Sequence, residues 1–224
     1  MPRWHCIRIV LSFLWLGLVA GQTAAQERKN TDSRFEVFAQ FGGSFYTGVS
    51  GRNIVTFTQP SGTFPLSQSK DFSKTGRLFA GIRYRLSRTS DLEASYSYSP
   101  SHLMTTLSGF PLSQPGSVLS GVASHYALFN YVRKLPSRGR FQIFLTAGAG
   151  AVVFEARLGN EAKFAVNFGG GGDFRLNRYL NLRIENRFYV SGVPRQTIAT
   201  GTPDFELGGT TLNTVPSVGL VIRF

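Results

Sequence analysis

Cysteine occurs once in the chain, at Cys6, and histidine three times, at His5, His102 and His125. So thin a supply of thiol and imidazole excludes a Cys/His metal cluster. It also excludes a disulfide framework, since a lone thiol has no partner within the chain. Acidic residues are scarce as well: 12 Asp and Glu stand against 24 Lys and Arg, a formal charge of +12. Such a balance ordinarily points to nucleic acid or to an anionic membrane. Long apolar runs are missing too. The best one, residues 9–20, falls short of the roughly 20 apolar residues that a membrane-crossing helix requires. No later segment comes closer, so any crossing of a bilayer has to be made with strands.

That one apolar run reads as a leader. Arg3 and Arg8 precede or enter it, and the small-residue exit Gly21-Gln22-Thr23-Ala24-Ala25 follows. This is the build of a secretory signal peptide over residues 1–25, with cleavage after Ala25. Cys6 lies inside it without a lipobox, so no lipoprotein anchor is expected. Removing Arg3 and Arg8 takes the charge from +12 to +10 and leaves a mature chain without cysteine. Export removes nucleic acid from the expected partners. Residues 26–33 are a polar periplasmic lead-in, and residues 34–224 are enough for one domain.

What the mature chain does have is glycine, aromatics and alternation. The full sequence contains 25 glycines, all but Gly17 and Gly21 after the leader, and is 13% aromatic. Residues 34–47 set Phe35, Val37, Ala39, Phe41 and Phe45 against Glu36, Gln40, Ser44 and Tyr46. Residues 74–86 set Leu78, Ala80, Ile82, Tyr84 and Leu86 against Arg77, Arg83 and Arg85, and residues 91–99 set Leu92, Ala94, Tyr96 and Tyr98 against Glu93, Ser95 and Ser97. Period two continues through residues 122–135, 141–154 and 214–224. Residues 164–188 form a hairpin about Asn177-Arg178-Tyr179, with Phe168, Phe174, Leu182 and Ile184 on one face and Asp173, Arg183, Glu185 and Arg187 on the other. The count is eight strands.

The connections alternate. Residues 48–73, 100–121 and 191–213 are long and rich in Ser, Thr, Gly and Pro; residues 155–163 are a moderate loop; residues 87–90, 136–140 and 177–179 are short. Long outer loops, short periplasmic turns and an even strand count describe an all-β, eight-stranded antiparallel up-and-down transmembrane β-barrel. A soluble lipocalin-type barrel would bury the apolar face and show charge outside. Here the large aromatics stand at strand ends on the apolar face, where interfacial girdles place them.

Three stretches also carry a resemblance. They are Ala147-Gly148-Ala149-Gly150-Ala151, the run from Asn167 through Gly169–Gly172 to Leu176, and the terminal Val218-Gly219-Leu220-Val221-Ile222-Arg223-Phe224. The chain resembles the small OmpA-like or OmpX-like outer-membrane β-barrel family, most strongly from residue 141 onward. The resemblance implies a place in the cell outer membrane of a Gram-negative bacterium. It also implies an insertion signal ending in Phe224, read by the barrel-assembly machinery, and outer-membrane lipids as surroundings. No peptidoglycan-binding domain is expected after the barrel.

The chemistry follows from the inward face. Eight strands leave room for side chains but not for a wide pore. Glu93, Asp173, Arg183, Glu185 and Arg187 are expected to form an interior polar network, because buried charges must be paired. Gly148, Gly150, Gly169 and Gly171 are expected to leave space for the arginines. The simplest outcome is a structural plug; a narrow ion-conducting pore through the same residues is the alternative. Catalysis has little footing. Ser124 neighbours His125 but points to the opposite face, and Ser101-His102 has no acid nearby. The His-X-Ser pattern of lipid A deacylases is not met by His125-Tyr126-Ala127. Gly169–Gly172 is no phosphate loop, since neither a helix nor Lys-Ser/Thr follows. No catalytic, cofactor or metal residue is assigned. The excess arginines sit at the short turns, facing headgroups or solvent. The expectation is a non-enzymatic protein with a structural or surface-contact role. Its three long loops are available to an extracellular ligand in the manner of an adhesin.

Overall fold

In the computed structural model, residues 34–50, 53–59, 62–108, 116–137, 139–156, 159–193 and 210–224 are described. Ten strands occur among them: β1 Phe35–Ser50, β2 Asn53–Gln59, β3 Gly62–Phe72, β4 Thr75–Arg85, β5 Ser90–Ser108, β6 Gly116–Lys134, β7 Phe141–Ala156, β8 Gly159–Arg175, β9 Leu180–Gly192 and β10 Thr210–Arg223. Eight of them close a barrel in the order β1-β4-β5-β6-β7-β8-β9-β10-β1, every neighbour antiparallel. Closure gives each of those strands two partners, so no backbone donor of the wall meets lipid unpaired. The other two, β2 and β3, form a hairpin that adds to the upper end of β5. The expected leader, residues 1–25, and lead-in, residues 26–33, lie outside the described residues.

The inside–outside alternation follows the sequence. Phe129 is 77% exposed, Phe164 70% and Ile184 61% on the outer wall, while Glu93, Arg183 and Glu185 are buried within. A water-soluble surface cannot carry rings so exposed over a whole wall, whereas hydrocarbon solvates them. The barrel therefore spans a bilayer with this face. The short turns mark the periplasmic end. At the turn after β8, the Asn177 side-chain oxygen accepts the backbone N–H of Tyr179 and of Leu180, at 2.8 Å each. An asparagine that binds its own backbone in this way stands in for a turn hydrogen bond, which is why the chain reverses there.

The long connections are shorter than the composition suggests. Residues 100–108 and 116–121 continue β5 and β6 as a paired ladder from Pro100↔Ala123 to Leu107↔Gly116. Residues 48–73 are mostly β1 and the β2–β3 hairpin rather than an irregular loop. The 155–163 segment continues β7 to Ala156 and starts β8 at Gly159. Ser, Thr and Pro are tolerated in these extensions because they stand beyond the lipid, where water serves any unpaired group. Residues 194–209 lie outside the described residues.

The inward glycines act on the wall itself. A Cβ on Gly148 would strike the Phe129 carbonyl oxygen and the Asn130 side chain. One on Gly169 would strike the Asn186 carbonyl oxygen, and one on Gly171 that of Ile184. Where room for arginines was expected of them, the geometry shows a different effect: they let neighbouring strands approach closely as the sheet curves.

The barrel interior as the candidate functional site

β5, β8 and β9 bring the five expected interior residues into one connected network of the lumen. β9 supplies Arg183, Glu185 and Arg187 at successive inward positions, and β8 and β5 supply Asp173 and Glu93. Arg183 and Asp173 form a two-pronged pair: Nε donates to Oδ1 at 2.6 Å and Nη2 to Oδ2 at 2.8 Å. Arg187 donates from Nε to Glu185 Oε1 at 2.6 Å, and its Nη2 lies 2.7 Å from Glu93 Oε1. Such parallel charge-assisted bonds fix guanidinium orientation as well as supplying energy.

Sequence reasoning left several members out of the network. Arg83, on β4, donates from Nη2 to Glu93 Oε2 at 2.6 Å. Glu36, on β1, meets Arg223 Nε at 3.0 Å and Arg183 Nη2 at 3.6 Å. Asp91 meets Lys134 Nζ at 2.6 Å, so Lys134 points into the barrel. Asn130 donates to Glu93 Oε1 at 3.0 Å and Gln40 to Glu185 Oε2 at 3.2 Å. All of these stand at inward positions of the alternation; the signal was present but nothing in one strand says which residue lies across the lumen. Two inward aromatics were missed for a different reason. Phe38 and Phe144 interrupt the polar face, and the Arg183 guanidinium lies 5.1 Å and 5.0 Å from their ring centres. A ring face attracts a cation, so these apolar residues belong inside.

Above this charged layer the interior changes character. Phe72, Phe79, Leu103, Val122, Tyr126, Leu128, Val152, Phe154 and Tyr189 are buried together. The lumen therefore holds ion pairs toward the periplasm and, toward the outside, apolar side chains interspersed with uncharged polar ones such as Ser44 and Asn213.

The histidines are placed on the outer wall. His125 Nδ1 lies 2.7 Å from the Tyr96 hydroxyl and Nε2 lies 3.2 Å from Glu155 Oε2. Ser124 is buried on the other side of the wall, as the alternation requires. His102 is exposed while Ser101 is buried. Neither serine–histidine neighbour pair shares a face, so neither makes a nucleophile–base pair. Among the described residues no group of three or more His, Cys, Asp and Glu is arranged to hold a metal ion. Phe224, the end of the expected insertion signal, is outside the network; its backbone N–H donates to the Phe35 carbonyl at 3.0 Å, tying the end of the chain to β1.

No family model matches the chain, and no curated protein matches it in sequence. Solved structures do match in shape. Neisserial surface protein A superposes with a TM-score of 0.55 at 10% identity, over 85% of this chain and 97% of that one. The outer membrane protein OprG from Pseudomonas aeruginosa gives 0.54 at 10% identity, over 87% of this chain and 97% of that one. The likeness is one of fold: a closed, eight-stranded antiparallel barrel of the bacterial outer-membrane type. With its lipid-facing wall, that architecture places the chain in the outer membrane.

Proposed function

We propose that the chain is a small barrel of the OmpA-like and OmpX-like kind that acts at the cell surface by contact, without transport or catalysis. The observation that carries this reading is the filled interior. With ion pairs below and apolar side chains above, little remains inside for a permeant molecule, and the free surface of the protein is its outer end.

At that end β2 is the one described strand with a single partner strand, β3, so one of its edges is open along its whole length. Its sequence, Asn-Ile-Val-Thr-Phe-Thr-Gln, contains neither charge nor proline. Natural edges usually carry such residues to discourage pairing. An edge without them suits the addition of an extended segment from another protein, with main-chain hydrogen bonds giving the affinity. The partner in this reading is an extracellular protein that presents an extended strand. Outer-membrane lipids surround the wall, and the barrel-assembly machinery is the partner of the strand ending in Phe224.

The test is deletion of residues 53–70, with a short turn joining the flanking strands. Cells displaying the shortened protein should lose adhesion to protein-coated surfaces while the barrel still shows its heat-dependent gel mobility. Adhesion that survives the deletion removes the reading.

A further inference from the structure

The charged layer balances itself and leaves one cation over. Among the described residues, Glu36, Asp91, Glu93, Asp173 and Glu185 are met by Arg83, Lys134, Arg183, Arg187 and Arg223. Arg77 has no such partner. It points inward from β4, is fully buried, and none of its three guanidinium nitrogens makes a hydrogen bond. Its guanidinium lies instead over rings, 4.5 Å from the centre of Tyr126, 4.9 Å from Tyr189 and 5.9 Å from Phe79. Ring faces return part of the cost of burying a cation, but a buried charge ordinarily demands a counter-ion.

The surroundings specify what kind. The hydroxyls of Tyr46 and Tyr126 are buried without a hydrogen-bond partner, and both can donate. A cation with neighbouring hydroxyl donors and no carboxylate suits an anionic head. Beyond it, toward the outside, stand apolar side chains such as Leu103, Val122 and Phe154, alongside a hydrogen-bonded Ser44–Asn213 pair on the β1–β10 side. The apolar ones suit a hydrocarbon tail. The cover of this layer comes partly from outside the barrel. Phe72 belongs to β3, whose ladder is with β5, and it stacks on Tyr46 at 4.5 Å and on Phe154 at 6.3 Å.

We propose that the upper interior binds a free amphipathic monocarboxylate. Its carboxylate pairs with Arg77 in the two-pronged manner open to a guanidinium, and its hydrocarbon tail takes the place of Phe72 among the apolar side chains. The site stands apart from the surface-contact reading: either can fail without the other.

The experiment uses the mature protein in lipid nanodiscs, with empty discs subtracted, and compares laurate with 1-dodecanol. Laurate should bind at least tenfold more tightly than the alcohol and raise the temperature at which the heat-dependent gel mobility changes. Arg77→Met should erase that preference while unfolding no earlier than the unsubstituted protein, because it removes an uncompensated charge. Equal binding of laurate and dodecanol to the unsubstituted protein would overturn the proposal. Laurate binding undiminished in Arg77→Met would overturn it as well. Should Arg77→Met fail to fold, the comparison of the two probes on the unsubstituted protein decides alone.

Discussion

Glu93 is the residue on which the charged layer turns, because it receives Arg83 at 2.6 Å, Arg187 at 2.7 Å and the Asn130 amide at 3.0 Å. Removing it strips Arg83 of the one carboxylate it meets among the described residues and leaves Arg187 with Glu185 alone. Breaking a buried pair from one side costs about 3–5 kcal/mol. Glu93→Ala should therefore lower the urea midpoint of the reconstituted barrel by that order, with the slope unchanged. A midpoint within error of the unsubstituted protein would mean that water, not Glu93, solvates those arginines. The outer wall makes the opposite demand on a residue. Ile184 stands on it at 61% exposure. An arginine on the lipid face of a barrel wall costs about 2–4 kcal/mol near the midplane. Ile184→Arg should show that loss in urea unfolding from vesicles, while Ile184→Leu should not. At this scale the sequence was readable wherever a charge or a large apolar group marked its face. It was unreadable at Phe38 and Phe144, and for Arg77 it gave the inward face but not the rings that surround the guanidinium. An aromatic on the polar face and a cation in the apolar layer make sense only once the rings and guanidinium groups are seen together.

Strands and turns show a different limit. Period two identified all eight wall strands and their faces, since a strand with lipid on one side and a packed lumen on the other has no freedom to slip by one residue. What period two did not reveal is where strands stop. β5 and β6 run well past the lipid through residues of loop composition, because pairing between them continues from Pro100↔Ala123 outward. The β2–β3 hairpin was hidden for the same reason. Close approach between strands makes its own prediction. A methyl group on Gly148 would strike the Phe129 carbonyl oxygen on β6, a backbone atom that cannot swing aside. Gly148→Ala should slow or reduce assembly into vesicles, measured as the fraction reaching the compact, heat-sensitive gel form. Gly121→Ala, where an added Cβ meets nothing within 4 Å, should assemble normally.

At the scale of the molecule, the two halves of the lumen differ in what fills them. Paired charges occupy the periplasmic half, and a mainly apolar cluster with a few uncharged polar side chains occupies the outer half. Both layers are products of closure: they join side chains from strands far apart in the chain, such as Arg187 on β9 with Glu93 on β5. A barrel so filled should not conduct. The most direct measurement is single-channel recording of the mature protein in a planar bilayer, after its heat-dependent gel shift has verified folding. The expected current is indistinguishable from that of the bare membrane. Reproducible conductance steps that vanish in Arg187→Met would contradict it and show an ion path through the charged layer.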